Sequence, residues 1–281
     1  MQLLVCDLDN TLYDWVSYFV PSLYAMIEEA SKVSGIPENE LVADMQKVHQ
    51  KHKDVEHPFS LIETNVIKNR YAGLSDEAIA LELNSAFYAF NRSRKKNLCL
   101  YEGVDRTLAC IKEKGIKIAA HTESRFHSVI DRLTRLNIEK YFDNVYCLQR
   151  TEFSRPYKTP PNNRYYSVLN HRIKELLHRQ RKPSPDVLIE ICRSQGIEPS
   201  RAVYIGDSII KDVAMANSAG VFSVWAKYGT SFDRGLYEKL VKVSHWSVED
   251  IEREMKLKED FCNEKPMAIA DEFSDILSYI L

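Results

Sequence analysis

The chain lacks the features that would place it in a membrane, a disulfide scaffold or a repeat array. No apolar run is long enough to span a bilayer. The six cysteines, at positions 6, 99, 110, 147, 192 and 262, form no C-x-x-C pair and no zinc spacing. Most lie among apolar neighbours and read as reduced thiols of an intracellular chain. There is no excess of one charge: 38 Lys and Arg stand against 40 Asp and Glu, a net charge of -2, which argues against a whole-chain polyanion binder and leaves only a local patch open. Internal repeats and low-complexity tracts are absent. Residues 1–6 reach Asp7 too soon for a signal peptide, so a cytoplasmic location is expected. A length of 281 residues fits one large domain, or a core with an inserted one, and can bury a sizeable core.

What is present is a change of rhythm. Leu3–Cys6 is a short apolar run ending in carboxylates, as in a buried parallel strand that opens onto a site. From Trp15 the period becomes helical, with Phe19, Leu23, Met26 and Ile27 on one face. Gly35 ends that helix, Pro37 begins another, and Ser75-Asp76-Glu77 marks a further start. Residues 15–97 therefore read as nearly all helix. Strand and helix then alternate: strands over 116–121, 145–148, 202–205 and 221–225, helices over 104–114, 125–137, 184–195 and 211–219. That alternation predicts an α/β fold with a Rossmann-like, doubly wound parallel sheet and right-handed crossovers. The core takes 1–14 and 98–229, and the all-α insertion 15–97 forms a cap. Two regions stand outside the rhythm. One is a basic insertion over 150–181, with a helix expected near 165–179. The other is a C-terminal helical extension over 230–281.

Ligands of such sheets bind at the carboxyl ends of strands. Asp7, Thr122 and Asp207 all fall there. A carboxylate at a strand end can attack phosphorus in line, which is the role suited to Asp7. Asp9, two residues on, can protonate the leaving oxygen and later activate water. Thr11 would fix the loop by hydrogen bonding, although an Asx turn alone also explains these residues. The Thr122 hydroxyl suits a phosphate oxygen or, equally, a helix cap. Lys182 stands at a helix start, where the macrodipole disfavours a cation unless it holds an anion. Gly206-Asp207, with Asp212 five residues on, offers the oxygen donors that magnesium prefers. Asp212 could order a metal water, pair with Lys182, or simply serve the helix dipole.

Taken in order, Asp7-Leu8-Asp9-Asn10-Thr11, Thr122, Lys182 and Gly206-Asp207 with Asp212 resemble the motifs of the haloacid dehalogenase-like hydrolase superfamily, in the phosphatase branch with a helical cap after the first motif. The resemblance covers about residues 1–229. It extends to Tyr101-Glu102-Gly103-Val104 and to Ala214, Ala216, Ala219-Gly220 and Val221. It implies Asp7 as nucleophile and magnesium ligand, and Asp9 as general acid/base that ligates metal through its carbonyl. It further implies Thr122 and Lys182 as phosphoryl-binding residues, Asp207 as a magnesium ligand and Asp212 as its support. Dehalogenases lack an acid at the position of Asp9, so this chain resembles the phosphatases and mutases. The implied activity is Mg²⁺-dependent hydrolysis of a small phosphorylated substrate through an aspartyl phosphate. A sugar-phosphate mutase uses the same residues, and a catalytically inactive binding scaffold is the non-enzyme alternative.

Some residues depart from the pattern. Glu123 follows Thr122 where the family often has asparagine, and it would repel a phosphate unless it turns away. From 150 to 182 nine Lys and Arg face two acids, a segment suited to overhanging the site or to plain solvation. Its few aromatics (Tyr157, Tyr165, Tyr166) and the lack of any known module argue against nucleic acid as a partner. His49, His52 and His57 lie close together. Metal binding would need tight spacing and a carboxylate partner, so they read as solvated helix-face residues. Trp15, Tyr18 and Phe19 read as core, with one of them open to a place at the pocket mouth.

Overall fold

Seven strands lie side by side in the computed structural model, which describes residues 1–57, 59–150 and 171–281. They are β1 (Leu3–Cys6), β2 (Lys117–Arg125), β3 (Asn144–Leu148), β4 (Ile173–Leu176), β5 (Ala202–Gly206), β6 (Phe222–Ala226) and β7 (Ala268–Ala270), in spatial order β4-β3-β2-β1-β5-β6-β7. Every pairing is parallel. The chain builds outward from β1 to β4, then returns to β5 on the other side of β1. The crevice at that reversal is where an open parallel sheet holds a ligand, and Asp7 follows β1 there.

The central strand shows why the first apolar run has no polar alternation. Leu4 and Cys6 join a core with Val104, Leu108, Ile118 and Val129 on one face. Leu3 and Val5 join Leu188, Ile191, Tyr204 and Met215 on the other. Successive side chains point to opposite faces, both faces are covered by helices, and all four residues are fully buried.

A third core lies within the helices of 15–97. They are α1 (Trp15–Ser34), α2 (Glu38–His52), the short α3 (Ser60–Glu63) and α4 (Asn65–Arg70), α5 (Asp76–Glu82) and α6 (Asn84–Asn97). The Asp14 side chain accepts from Ser17 N at 2.8 Å and caps α1, and Gly35 closes it at φ 74°. Phe19, Leu23, Ile27, Leu41, Met45, Leu61 and Ile79 pack among them. Around the sheet run α7 (Val104–Glu113), α8 (Phe126–Leu136), α9 (Pro185–Ser194) and α10 (Ala214–Ser218).

Three expectations change. The helix expected near 165–179 gives way to strand β4 over 173–176; residues 165–170 lie outside the described residues. Ile173 and Leu176 turn inward while Lys174 and Glu175 stay exposed, so β4 covers the open edge of β3 with a short, charged edge strand. The tail is not wholly helical. It forms α11 (Arg234–Val243), α12 (Val248–Asp260), strand β7 and α13 (Leu277–Ile280). Three residues of Ala-Ile-Ala are too few to show a strand period, and β6 supplies the pairing. The helix expected over 211–219 begins as a π-turn, Ile209–Val213, before α10. The basic insertion lies mostly outside the described residues, Tyr157, Tyr165 and Tyr166 with it.

The tail also ties the layers together. Leu240 and Val243 of α11 join the core of the 15–97 helices. From α12, Arg253 donates to the Lys182 carbonyl at 2.5 Å, and Asp250 pairs with Arg181 at 3.6 Å. No described helix is long and apolar enough to cross a membrane.

Candidate active site

The site begins where β1 ends. Asp7 N donates to the Ile205 carbonyl at 2.9 Å, which holds the residue at the mouth of the central strands. Asn10 then turns the chain at φ 57°, a left-handed conformation that asparagine tolerates. Its side chain accepts from Trp15 N at 3.1 Å and leads into α1. Thr11 does not fix this loop as expected. It is fully buried, and its hydroxyl finds no hydrogen-bond partner among the described residues. Main-chain bonds close the loop instead: Leu12 N to the Leu8 carbonyl at 2.9 Å and Asn10 N to the Tyr13 carbonyl at 2.8 Å. The Thr11 carbonyl accepts from Tyr228 Oη at 2.7 Å.

Lys182 reaches Asp7 from the loop before α9. Its buried ammonium lies 2.7 Å from Asp7 Oδ1 and 2.8 Å from Asp212 Oδ1. Burial alone would lower its pKa, but the charges of Asp212 and Asp7 outweigh that and hold it raised. Asp212, on the π-turn, also accepts from Tyr204 Oη at 3.1 Å and from Ser208 N at 3.0 Å. Asp207 follows β5. Carboxylate oxygens of Asp7, Asp207 and Asp212 all lie within 4.8 Å of one another. Burial, then Asp212, pushes the Asp207 carboxyl up to about 7. Burial also raises Asp7, against the opposing pull of Lys182. Three carboxylates thus crowd one lysine, which suits a divalent cation with hard oxygen ligands.

Asp9 faces a different environment. Its Oδ1 accepts from Arg132 Nη1 at 2.9 Å and its Oδ2 from Ser124 Oγ at 2.5 Å. Arg132 is fully buried, and its Nη2 also reaches Glu56 Oε2 at 3.0 Å and Ser124 Oγ at 2.7 Å. Glu56 lies between α2 and α3, and its other oxygen accepts from Trp15 Nε1 at 3.0 Å. Beside it, Asp54 pairs with Arg125 at 3.0 Å. The 53–57 loop is thereby tied to β2 and α8 next to Asp9.

Thr122 is buried within β2, which runs on to Arg125, and its hydroxyl accepts from Ser124 N at 3.0 Å. Glu123 turns toward Lys211, 3.5 Å away, so the repulsion expected beside a phosphate is met by a cation. Burial and then Lys182 push His121 well below its ordinary value and keep it neutral.

Several positions that contact the candidate site escaped the sequence reading. Arg132 shares its helix face with Val129 and Leu133, and an arginine at a core position was the available signal. Arg253 lies in the tail, far along the chain from Lys182. Gly229, like the motif glycine Gly206, is fixed by space: a Cβ at Gly206 would stand 2.4 Å from Asp212 Cγ, and one at Gly229 1.8 Å from the Asn10 carbonyl oxygen.

The fold and crevice define a doubly wound α/β protein with carboxylates and a buried lysine collected at strand carboxyl ends. Residues 1–220 match the model of the family described as haloacid dehalogenase-like hydrolase, and the chain belongs to that family. Among its relatives, the glyceraldehyde 3-phosphate phosphatase of Methanopyrus kandleri is 27% identical over 229 residues, covering 79% of this chain and 82% of that protein. Phosphoglycolate phosphatase 1 of Pseudomonas aeruginosa is 26% identical over 242 residues, 85% of this chain and 74% of that protein. Among solved structures, 2-haloacid dehalogenase from Pseudomonas syringae aligns over 99% of this chain and 97% of its own at a TM-score of 0.56 and 18% identity, a likeness of fold.

Proposed function

We propose that this phosphatase hydrolyses phosphate monoesters of small metabolites through an aspartyl phosphate on Asp7. The observation that carries the reading is the position of Asp7: at the mouth of β1, bonded to Lys182, with Asp207 and Asp212 beside it. Asp7 attacks phosphorus, and Lys182 with the Thr122 hydroxyl holds the phosphoryl oxygens. Asp9 gives a proton to the departing alcohol and later takes one from the water that opens the aspartyl phosphate. To do so it must exchange its bonds to Ser124 and Arg132. Asp212 supports the loop that carries Asp207 through its bond from Ser208 N.

The donor set fits Mg²⁺. Asp7 and Asp207, with the Asp9 carbonyl, would hold the ion, and Asp212 would brace it. The bound ion supplies positive charge against the phosphoryl oxygens. The 15–97 helices act as the cap, with the 53–57 loop resting beside Asp9 and limiting water access. The reading is of an enzyme acting in the cytoplasm on a small phosphorylated molecule.

The test is release of phosphate from a panel of small esters, headed by glyceraldehyde 3-phosphate and phosphoglycolate, with Mg²⁺ or EDTA and beside Asp7→Asn. Metal-dependent release lost in the variant supports the reading. Transfer to a second sugar hydroxyl that outruns hydrolysis would replace it with a mutase. A binding scaffold would leave the whole panel intact.

A further inference from the structure

The histidines of the 15–97 helices are not the solvated residues the sequence suggested. His49 is fully buried and committed, with Nδ1 2.7 Å from the Val243 carbonyl oxygen and Nε2 3.0 Å from Ser60 Oγ. His52 and His57 do something else. The last residue of α2, the loop after it and the last residue of α3 bring His52, His57 and Glu63 together. His52 Nε2 lies 2.7 Å from Glu63 Oε2, and His57 Nε2 lies 2.6 Å from Glu63 Oε1. The two imidazoles stack with centroids 3.6 Å apart and planes 7° apart. All three ligand atoms lie within 4.8 Å of one another, and the His57 side chain is wholly buried. The carboxylate partner and the tight spacing required of a metal site are thus both present.

We propose that His52, His57 and Glu63 form a second metal site, separate from the Asp7 crevice, that takes a zinc-like first-row divalent cation. Two imidazole nitrogens and one carboxylate are a ligand set that zinc accepts, at about 2.0–2.2 Å per bond, with a fourth place for water. The rings lie parallel, so one imidazole must turn about its Cβ–Cγ bond for both Nε2 lone pairs to meet on one ion, which then replaces the two hydrogen bonds to Glu63. Lys51 approaches Glu63 Oε2 at 3.5 Å but is 71% exposed, so its ammonium can swing into solvent. Nitrogen ligands separate this site from the oxygen-only crevice, which suits magnesium.

The position gives the site a consequence. Asp54 and Glu56, which hold Arg125 and Arg132 beside Asp9, lie between His52 and His57 in the chain. An ion joining the two histidines to Glu63 closes that loop on itself and braces it over the crevice. The class of device is a structural staple that sets how firmly the 53–57 loop is held.

The test is cobalt titration of the full-length, metal-stripped protein in excess Mg²⁺, read by visible absorption and by metal content after gel filtration. One equivalent of cobalt is expected, with the intense bands of a tetrahedral nitrogen-bearing site, displaced by zinc. His57→Ala should weaken binding about 100-fold or more. Should that variant not fold, the half-buried His52→Ala at the helix end decides instead, with the same loss expected. Binding that is absent from the wild-type protein, or unchanged in the histidine variants, overturns the proposal. In the second case the ion belongs to the carboxylate crevice.

Discussion

Asp7 and Asp9 are neighbours but one in the sequence, yet they sit on opposite sides of the crevice in opposite electrostatic settings. Asp7 turns toward β5, where Asp207 and Asp212 leave three carboxylates around the single ammonium of Lys182. Asp9 turns toward β2 and α8, where the Arg132 guanidinium lies 2.9 Å away and Ser124 closes the second oxygen. One side has more negative charge than its lysine can offset. The other has its charge met by a buried guanidinium whose second arm reaches the helical layer through Glu56. The lesson concerns division of labour. On the proposed mechanism the crowded side receives further positive charge, and the paired side holds a carboxylate in one orientation until its bonds are exchanged.

The largest expected effect comes from the crowded side. On the proposed mechanism Asp7→Asn removes the nucleophile, and kcat should fall about 1,000-fold or more. The protein should stay folded, because the amide keeps the shape of the buried side chain and lessens the repulsion with Asp207 and Asp212. Steady-state rates with circular dichroism check both parts. A variant that retained normal turnover would remove Asp7 from the mechanism.

Arg132→Met comes next and tests the paired side. It leaves Asp9 and Glu56 facing each other without their shared cation. Breaking a buried pair by removing one partner costs about 3 kcal/mol, read as a lower urea midpoint. Activity should fall about tenfold or more as Asp9 loses its orientation. If stability fell while kcat held, the pairing would be structural and the contrast between the two carboxylates would lose its catalytic meaning.

This contrast was half legible in the sequence. Asp7, Lys182, Asp207 and Asp212 each follow an apolar run or precede a helix, so local pattern and a family resemblance locate them. The sheet then converges them because every parallel strand ends on the same side. Arg132 and Glu56 carry no such mark. They meet because the loop between α2 and α3 reaches across to α8, a relation between distant segments that no period records. The same holds for Arg253, which reaches the Lys182 carbonyl from the tail, and for His52, His57 and Glu63, whose spacing looks unremarkable until α2 and α3 fold back. Strand β7 was hidden for the opposite reason: three residues are too short to carry a pattern, and its partner β6 defines it.

A smaller effect lies in pH and metal. Burial and Asp212 push the Asp207 carboxyl up to about 7, above its ordinary value of 3.8. Between those limits the folded protein holds a proton that the unfolded chain has released. Stability therefore falls as pH rises through that window, and the loss is complete above about 7. A divalent cation competes with that proton and should restore stability at neutral pH. Thermal melts of EDTA-treated protein across the range, with and without Mg²⁺, check the sign. Asp207→Asn should flatten the slope. A melt that rose with pH through the same window would show that Asp207 is not held protonated by its neighbours.

The smallest expected effect is the most discriminating one for the paired side. The two oxygens of Glu56 are both used, one by Trp15 Nε1 and one by Arg132 Nη2. An amide has a single acceptor oxygen, so Glu56→Gln keeps the size of the side chain and loses one of those two bonds. Arg132 still has Asp9 and Ser124. The stability change should therefore stay near 1 kcal/mol, and kcat should change by only a few-fold, with KM carrying most of the effect if the 53–57 loop gates entry. The comparison with Arg132→Met then separates two roles for one guanidinium. Equal damage from both variants would mean that Arg132 acts through the loop, as a latch. Damage confined to Arg132→Met would mean that it acts on Asp9 itself, with the loop merely resting on an arginine already placed for the carboxylate.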